Sequence, residues 1–159
     1  MSRIILLTQG QEAIVDDWRY DELNQFKWCA QWSSSTKSFY AERKSPRAEG
    51  FKTIRMHVIV AKTPNGLCTD HINQNTLDNR EENLRVCTRS ENNMNRGKRS
   101  DNTSGYKGVF KSNFGWTAKI EAGRKQTYLG TFQTREAAAK AYDEAAKRLH
   151  GEFAVLNFE

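Results

Sequence analysis

A nine-residue segment, GKRSDNTSG at residues 97–105, constrains the fold most, because it divides the chain into two parts of different character. It is rich in Gly, Ser, Asn and Asp and lacks apolar side chains, which is the composition of a linker. The chain of 159 residues is long enough for one ordinary domain or two small ones. The segment therefore predicts two small domains, one on each side of it.

The part after this segment has the pattern of a small sheet covered by one helix. YKGVFKS, GWTAKIEA and KQTYLGTF are strand-like and are separated by turns that contain Gly115 and Gly123. TREAAAKAYDEAAKRLHG predicts a helix that Thr134 caps and Gly151 ends. Residues 105–159 are therefore expected to form a three-stranded antiparallel sheet plus one helix. Apolar residues recur along that helix at Ala138, Ala141, Tyr142, Ala145 and Leu149.

The part before the linker is β-rich. RIILL, EAIVD, KWCAQW and SFYAER predict strands, and DDWRYDELNQF predicts a short helix in which Trp18, Leu23 and Phe26 share a face. KTIRMHVIVA begins like a strand, and its end fits either a strand or a helix. GLCTDH and NLRVCT predict two strands joined by a long polar loop, and RSENNMNR predicts a helix with Ser90 as N-cap. The predicted fold class is α+β.

Composition points to a cytoplasmic protein without a membrane partner. Hydrophobic residues make up 37% and charged residues 28% of the chain, and no apolar run approaches the roughly 20 residues of a transmembrane helix. Cys29, Cys68 and Cys87 are widely spaced and form no C-x-x-C pair. We therefore expect reduced thiols and no structural zinc.

Positive charge is concentrated in the middle of the chain. Residues 85–125 hold ten Lys or Arg and three acidic residues, whereas the net charge of the whole chain is +6. A basic block this local indicates a polyanionic partner, with nucleic acid the leading candidate. The alternative is a solvated cationic face that serves solubility.

The polar loop between GLCTDH and NLRVCT contains the groups needed to hydrolyse a phosphodiester. A histidine with an ordinary pKa near 6.5 can accept a proton from water at neutral pH, and His71 occupies such a position. A hard cation such as Mg²⁺ prefers oxygen ligands, which the Asp70 carboxylate and the amides of Asn83, Asn92 or Asn93 offer. The alternative is an ordinary loop, since Asn, Asp and Thr are common loop formers.

DHINQNTLDNREENLRVCTRSENNMNR, residues 70–96, resembles the core of the HNH homing-type endonucleases, and IRMHVIVAK resembles the segment that precedes this core in the family. The resemblance implies a β-rich leader and a ββα-metal nuclease domain over residues 1–96, with its core at 55–96. It also implies hydrolysis of DNA that leaves 5′-phosphate and 3′-hydroxyl ends, and a phage or mobile-element origin.

The same resemblance implies a role for each matched residue. His71 is the general base, and Asp70 is a metal ligand. Asn83 orients the loop and the base, and Asn92 is the second protein ligand, with Asn93 as the alternative. The expected cofactor is a divalent cation, Mg²⁺ or Mn²⁺ in its place.

Two positions depart from the family pattern. Gln74 stands where glycine is usual, which affects the turn, and Val58 stands where a basic residue commonly follows the histidine. His57 itself either hydrogen-bonds a phosphate or the site loop, or packs within MHVIV.

The segment from SGYKGVF to LNF resembles the plant APETALA-two/ethylene-response-factor DNA-binding domain along its whole length, with landmarks at GV, YLGTF and LNF. The resemblance implies that the sheet lies in the major groove of DNA. Phe110 and Ser112 stand where the plant domains often carry base-reading arginines, and Trp116 fits the outer surface or the core equally. The expected DNA contacts come from this sheet and from the basic linker, residues 97–104, with its flanks: Arg96, Lys98, Arg99, Lys107, Lys111, Trp116, Lys119, Arg124, Lys125 and Tyr128.

These expectations combine into a DNA-cutting protein that a second domain directs to duplex DNA. We expect a monomer without an obligate protein partner. The alternatives are a DNA-binding regulator with an inactive nuclease fold and a general nucleic-acid-binding protein.

Overall fold

The computed structural model describes residues 1–123 and 125–158, and it has the predicted α+β architecture. The chain divides into two compact units, one of residues Met1–Thr88 and the other from Arg89 onward. Among the described residues, no helix has the length and apolar character needed to cross a membrane.

The first unit contains two β-hairpins, a three-stranded sheet and two short helices. The hairpin strands pair antiparallel, with Ser2 opposite Asp16 in the first and Cys68 opposite Cys87 in the second. The central sheet has the order β3-β4-β5. The elements are β1 (Ser2–Leu6), β2 (Glu12–Asp16), α1 (Tyr20–Asn24), β3 (Cys29–Ser33), β4 (Ser38–Lys44), β5 (Thr53–Arg55), α2 (Met56–Val60), β6 (Cys68–His71) and β7 (Leu84–Cys87). KTIRMHVIVA thus begins as a strand and ends as a helix.

One hydrophobic cluster holds the first unit together. Ile5, Val15, Leu23 and Met56 are 0–2% exposed, and Trp28 is 2% exposed with its indole N–H donating to the Leu23 carbonyl at 2.8 Å. These residues come from β1, β2, both helices and the segment before β3. Burial of this cluster therefore joins the β1–β2 hairpin to α1 and α2.

The predicted apolar face of the first helix is wrong in two of its three positions. Leu23 is buried, but Trp18 is 65% exposed and Phe26 is 40% exposed. The guanidinium of Arg19 lies 4.4 Å from the Trp18 ring centroid, and that of Arg43 lies 3.9 Å from the Phe26 ring centroid. Cation–π stacking thus gives both rings a partner outside the core.

The loop between β6 and β7 is attached to the leader by hydrogen bonds. The Ile14 N–H donates to the Leu77 carbonyl at 2.9 Å, and the Asn79 N–H donates to the Ile14 carbonyl at 2.7 Å. The Glu81 N–H donates to the Asp16 carboxylate at 2.8 Å. Because β2 supplies these partners, the leader fixes the backbone of the loop that follows the DH dipeptide.

The second unit has the predicted sheet and helix. Its elements are α3 (Arg89–Met94), β8 (Val109–Ser112), β9 (Gly115–Ala122), β10 (Lys125–Phe132) and α4 (Arg135–His150). The sheet is antiparallel in the order β10-β9-β8. Ser90, predicted as an N-cap, lies within α3 instead. Residues 97–104 form turns and irregular backbone, and Ser104 at their end is 1% exposed.

The long helix α4 packs on one face of this sheet. The Thr134 hydroxyl accepts a hydrogen bond from the Ala137 N–H at 3.2 Å, as a cap should. Ala138, Tyr142 and Ala145 are buried as predicted, whereas Leu149 is 41% exposed. Ala139 and Ala146 are buried as well, so the contact face is displaced from the predicted one.

Candidate active site and nucleic-acid surfaces

Asp70 and His71 are the last two residues of β6, and each is 5% exposed. In the hairpin, Asp70 lies opposite Arg85 and His71 lies opposite Leu84. Successive residues of a strand point to opposite faces, so the two side chains can serve one site only where the strand ends. The strand does end at His71, and the Gln74 N–H closes a turn by donating to the His71 carbonyl at 2.9 Å.

Arg85 contacts Asp70. The sequence had indicated only that Arg85 belongs to the basic block of residues 85–125. Its Nε donates to Asp70 Oδ2 at 2.9 Å, and its Nη2 lies 2.8 Å from the same oxygen. The side chains are 12% and 6% exposed, respectively. A buried pair with two contacts to one carboxylate oxygen fixes the orientation of the Asp70 side chain. The register of the hairpin, which places these residues opposite each other, is the signal that identifies Arg85.

Asn83 joins the two ends of the loop. Its Oδ1 accepts from the Asn73 N–H at 2.9 Å, and its Nδ2 donates to the Asp78 carbonyl at 2.8 Å. The Asn83 carbonyl also accepts from the Ile72 N–H at 2.9 Å. Asn83 is 5% exposed, so these bonds are protected from competition with water.

Asp78 and Arg80 add a second set of bonds within this loop. Asp78 Oδ2 accepts from Asn73 Nδ2 at 2.9 Å and from Arg80 Nη2 at 2.7 Å. The hydrogen bond from Arg80 is the main reason that the pKa of Asp78 is lowered. The loop is therefore a closed polar network that holds the backbone next to His71.

Gln74 occupies a left-handed conformation, with φ of 63°. Glycine adopts this region without steric cost, whereas a residue with a Cβ is disfavoured there. This backbone position gives a physical reason for the usual glycine of the family pattern. The chain retains the turn with glutamine in place of glycine.

His71 lies in an aromatic cluster with His57 and Tyr40. The His57 and His71 ring centroids are 5.0 Å apart at an interplanar angle of 79°, and the Tyr40 centroid is 5.5 Å from His57 and 6.3 Å from His71. Burial lowers the pKa of His57 to about 3, aided by electrostatic effects of His71 and Arg55. His57 is therefore a neutral ring that packs against His71.

Burial also lowers the pKa of His71, against opposing effects of a hydrogen bond with the Asn79 side chain and of the charges of Asp70 and Asp78. His71 is consequently neutral at pH 7 and able to accept a proton. Asn79, which the sequence did not single out, is 1% exposed, and its Nδ2 donates to the Leu77 carbonyl at 3.0 Å. This bond fixes the amide that interacts with His71.

The Asp70 carboxylate is an oxygen donor of the kind that hard cations bind. Among the described residues, no three His, Cys, Asp or Glu side chains come together to hold a metal. The site instead offers the buried carboxylate of Asp70, whose Oδ2 is bonded to Arg85. Mg²⁺ prefers oxygen donors, and it usually keeps coordination positions for water and phosphate.

The asparagines predicted as further ligands lie on α3, in the second unit. Asn92 is half-buried, and Asn93 is exposed. The choice between them as metal ligand stays a prediction.

The sheet of the second unit has one face covered by α4 and an outer face that is open. Lys119 lies opposite Tyr128 on the outer face, beside the transverse row of Phe110, Thr117 and Thr131. Trp116 is on the other face, where it packs against Val109, Ala118 and the alanines of α4. The structure therefore places Tyr128 and Lys119 on the expected surface and Trp116 on the helix side.

The remaining cations are distributed along the second unit. Lys111 and Lys125 are exposed. Lys107 is half-buried, its ammonium donates to the Met94 carbonyl at 2.6 Å, and burial lowers its pKa to about 8. Arg99 forms a two-bond ion pair with Asp101 at 2.9 Å, and Lys98 donates to the Gly105 carbonyl at 3.1 Å. Arg96 is exposed, and Arg124 lies outside the described residues.

Residues 57–94 match the family model of the HNH endonucleases. This match covers α2, the β6–β7 hairpin and α3, so the resemblance of this segment to HNH endonucleases is confirmed. The chain is also similar to an uncharacterized HNH endonuclease of Acanthamoeba polyphaga mimivirus, with 32% identity over 100 residues, which is 63% of this chain and 52% of the relative.

The C-terminal portion is similar to plant transcription factors. An ethylene-responsive transcription factor of Arabidopsis thaliana is 46% identical over 72 residues, which is 43% of this chain and 28% of that protein. A dehydration-responsive element-binding protein of Oryza sativa subsp. japonica is 51% identical over 55 residues, 33% of this chain and 17% of that protein. The chain thus spans only about half, or less, of the curated relatives it matches.

Proposed function

We propose that this protein is a metal-dependent DNA endonuclease of the HNH type, directed to its target by the second unit. The matches support a nuclease with a DNA-binding domain. The observation that carries the proposal is His71, a buried neutral histidine at the end of β6, next to Asp70 and within the segment that matches the HNH family.

In the proposed reaction, neutral His71 accepts a proton from a water molecule while that water attacks the phosphorus. The bond to the 3′-oxygen breaks and that oxygen takes a proton from solvent water, which leaves 5′-phosphate and 3′-hydroxyl ends. A divalent cation, when bound, stabilises the charge on the phosphate and on the departing oxygen. Asp70 would hold this cation, Mg²⁺ or Mn²⁺ in its place, with Asn92 as the proposed second protein ligand.

Three further residues would support the roles of His71 and Asp70. Arg85 orients the Asp70 carboxylate through the contact at 2.8 Å. Asn83 fixes the loop that follows His71, through its bonds to Asn73 and Asp78. His57, with a pKa of about 3, stays neutral at pH 7 and does not compete with His71 for the proton of the attacking water. Its ring packs against the ring of His71.

The proposed role of the second unit is to raise the concentration of the nuclease at its DNA target. Exposed Lys111 and Lys125, together with Lys119 on the outer face, are proposed to contact phosphates. Tyr128 is proposed to contact sugars or bases. Lys107 and Arg99 have partners within the unit, so we propose a smaller contribution from them.

A cleavage assay with matched variants tests this function. Purified protein is incubated with supercoiled plasmid and with diverse genomic DNA in Mg²⁺, in Mn²⁺ and in EDTA, beside His71→Ala and the control His150→Gln. We expect cleavage by wild type and by the control in either metal, and at least a hundredfold slower cleavage by His71→Ala.

The control is matched because His150 is also a buried histidine, 6% exposed, but lies at the end of α4. A mobility-shift assay in EDTA establishes that His71→Ala still binds DNA, and urea unfolding followed by tryptophan fluorescence establishes that its first unit is folded. Cleavage by His71→Ala at the wild-type rate, or undiminished cleavage in EDTA, would contradict the mechanism. Binding without cleavage on every DNA would favour a non-catalytic regulator.

A further inference from the structure

The centre of the outer face of the sheet carries a transverse row of three side chains. Phe110 of β8 lies opposite Thr117 of β9, and Thr117 lies opposite Thr131 of β10. Directly cross-strand residues share one face of a sheet and lie within contact of each other. Phe110, at one end of the row, is 49% exposed. Tyr128, next to Thr131 at the other end, is 60% exposed.

The hydroxyl groups of this surface are bonded to one another. Thr117 Oγ1 and Thr131 Oγ1 are 3.2 Å apart, and the Tyr128 hydroxyl lies 2.8 Å from Thr131 Oγ1. The central Thr117 is only 8% exposed, so its hydroxyl has little access to an outside partner. The row and the adjacent Tyr128 therefore present outward the phenyl ring of Phe110, the exposed side chain of Thr131 and the aromatic ring of Tyr128.

The charges around this row do not suit recognition of guanine. Guanine is read through two acceptors by a bidentate arginine or lysine. Among the described residues of the outer face, Lys119 is the cation, and it lies opposite Tyr128 rather than in the row. Lys111 and Lys125 are exposed but lie by register on the helix side of the sheet, opposite Trp116 and Ala122, whereas the exposed Glu121 shares the outer face with Lys119.

We infer that Phe110 makes the sheet select duplex DNA by the 5-methyl groups of thymine. This inference rests on the proposed DNA-binding function of the second unit. Thymine alone among the four DNA bases presents a methyl group in the major groove, and apolar side chains, including Phe, recognise it by direct contact. An exposed phenyl ring on an open sheet face that also carries Lys119 and the ring of Tyr128 matches that chemistry.

Selection followed by base replacement tests the inference. The full-length protein is used in EDTA to select from a library of random duplexes made with thymidine. The enriched pool is then amplified twice, once with thymidine and once with deoxyuridine, which pairs identically but lacks the methyl group. We expect thymine-containing sites and about fourfold weaker binding for each contacted methyl group that is removed.

Variants assign the effect to the row. Phe110→Ala should bind the two pools equally, and Phe110→Arg should enrich guanine in a fresh selection. Phe114→Ala is the matched control, because Phe114 is 90% exposed but lies in the turn between β8 and β9. It should keep the wild-type preference for the thymidine pool.

The outcomes separate the inference from the function on which it rests. Equal binding of both duplex pools by wild type would overturn the inference and leave the DNA-binding function intact. Binding of single-stranded pools as tight as that of the duplex pools would also overturn it, since stacking on unpaired bases needs no methyl group. Failure to retain any duplex above background would overturn both.

Discussion

Acidification should destabilise the first unit through His57. This imidazole is 5% exposed, and burial lowers its pKa from 6.5 to about 3, with smaller contributions from electrostatic effects of His71 and Arg55. As the pH falls, the unfolded state therefore takes up a proton that the folded state does not bind. The stability contributed by neutral His57 is complete above pH 6.5 and is lost as the pH falls from 6.5 towards 3.

The size of this effect follows from the two pKa values. Each pH unit below the unfolded pKa costs about 1.4 kcal/mol, so the free energy of unfolding should be about 2 kcal/mol lower at pH 5 than at pH 7.5 from this group alone. His57→Gln has an uncharged side chain at both pH values and should lack this part of the pH dependence. The difference between the two proteins separates His57 from all other titrating groups.

Urea unfolding followed by tryptophan fluorescence measures this difference. The first unit contains Trp18, Trp28 and Trp32, so its unfolding dominates the signal. The control His150→Gln removes a buried histidine of the second unit and should leave the pH dependence of that signal unchanged. Equal pH dependence in wild type and His57→Gln would refute the reasoning that the folded protein keeps His57 neutral.

Three further substitutions test other features. Asn83→Ala leaves the Asn73 N–H and the Asp78 carbonyl without partners, and it should lower the free energy of unfolding by about 2–4 kcal/mol, measured with urea, and abolish cleavage. Gln74→Gly should raise that free energy by roughly 0.5 kcal/mol without loss of cleavage, because relief of left-handed strain exceeds the added entropy of the unfolded chain. Gly108→Ala would place a Cβ 2.0 Å from the Tyr142 ring at φ of 74°. It should destabilise the second unit by about 3–5 kcal/mol in thermal unfolding and weaken DNA binding in a mobility-shift assay. Unchanged stability in the first or third variant, or loss of stability in the second, would contradict these assignments.

Features that depend on short-range patterns could be predicted from the sequence. The alternating residues of β8, β9 and β10 and the helical spacing in α4 specify the sheet and helix because each element buries one face. The cap at Thr134 and the end at Gly151 follow from local backbone bonding. The positions of Asp70, His71 and Asn83 followed from a motif in which the spacing is local.

Features that depend on tertiary register could not be predicted in this way. Arg85 becomes the partner of Asp70 only when β6 and β7 pair with Asp70 opposite Arg85. Asn79 interacts with His71 because the loop folds back to bond with Ile14, which is 65 positions earlier. Trp18 is exposed and stacks with the guanidinium of Arg19. Helical periodicity does not predict this contact.

The hydrogen bonds between β2 and the loop that joins β6 to β7 define the smallest segment that could be transplanted with this loop in its folded form. The family match begins at residue 57, but the loop depends on Ile14 for two main-chain bonds and on the Asp16 carboxylate for a further hydrogen bond. A chimaera built from residues 57–94 alone would present DH at the end of a strand while leaving those loop groups to water. A transplant of the segment that resembles HNH endonucleases should therefore include β2 together with residues 57–94.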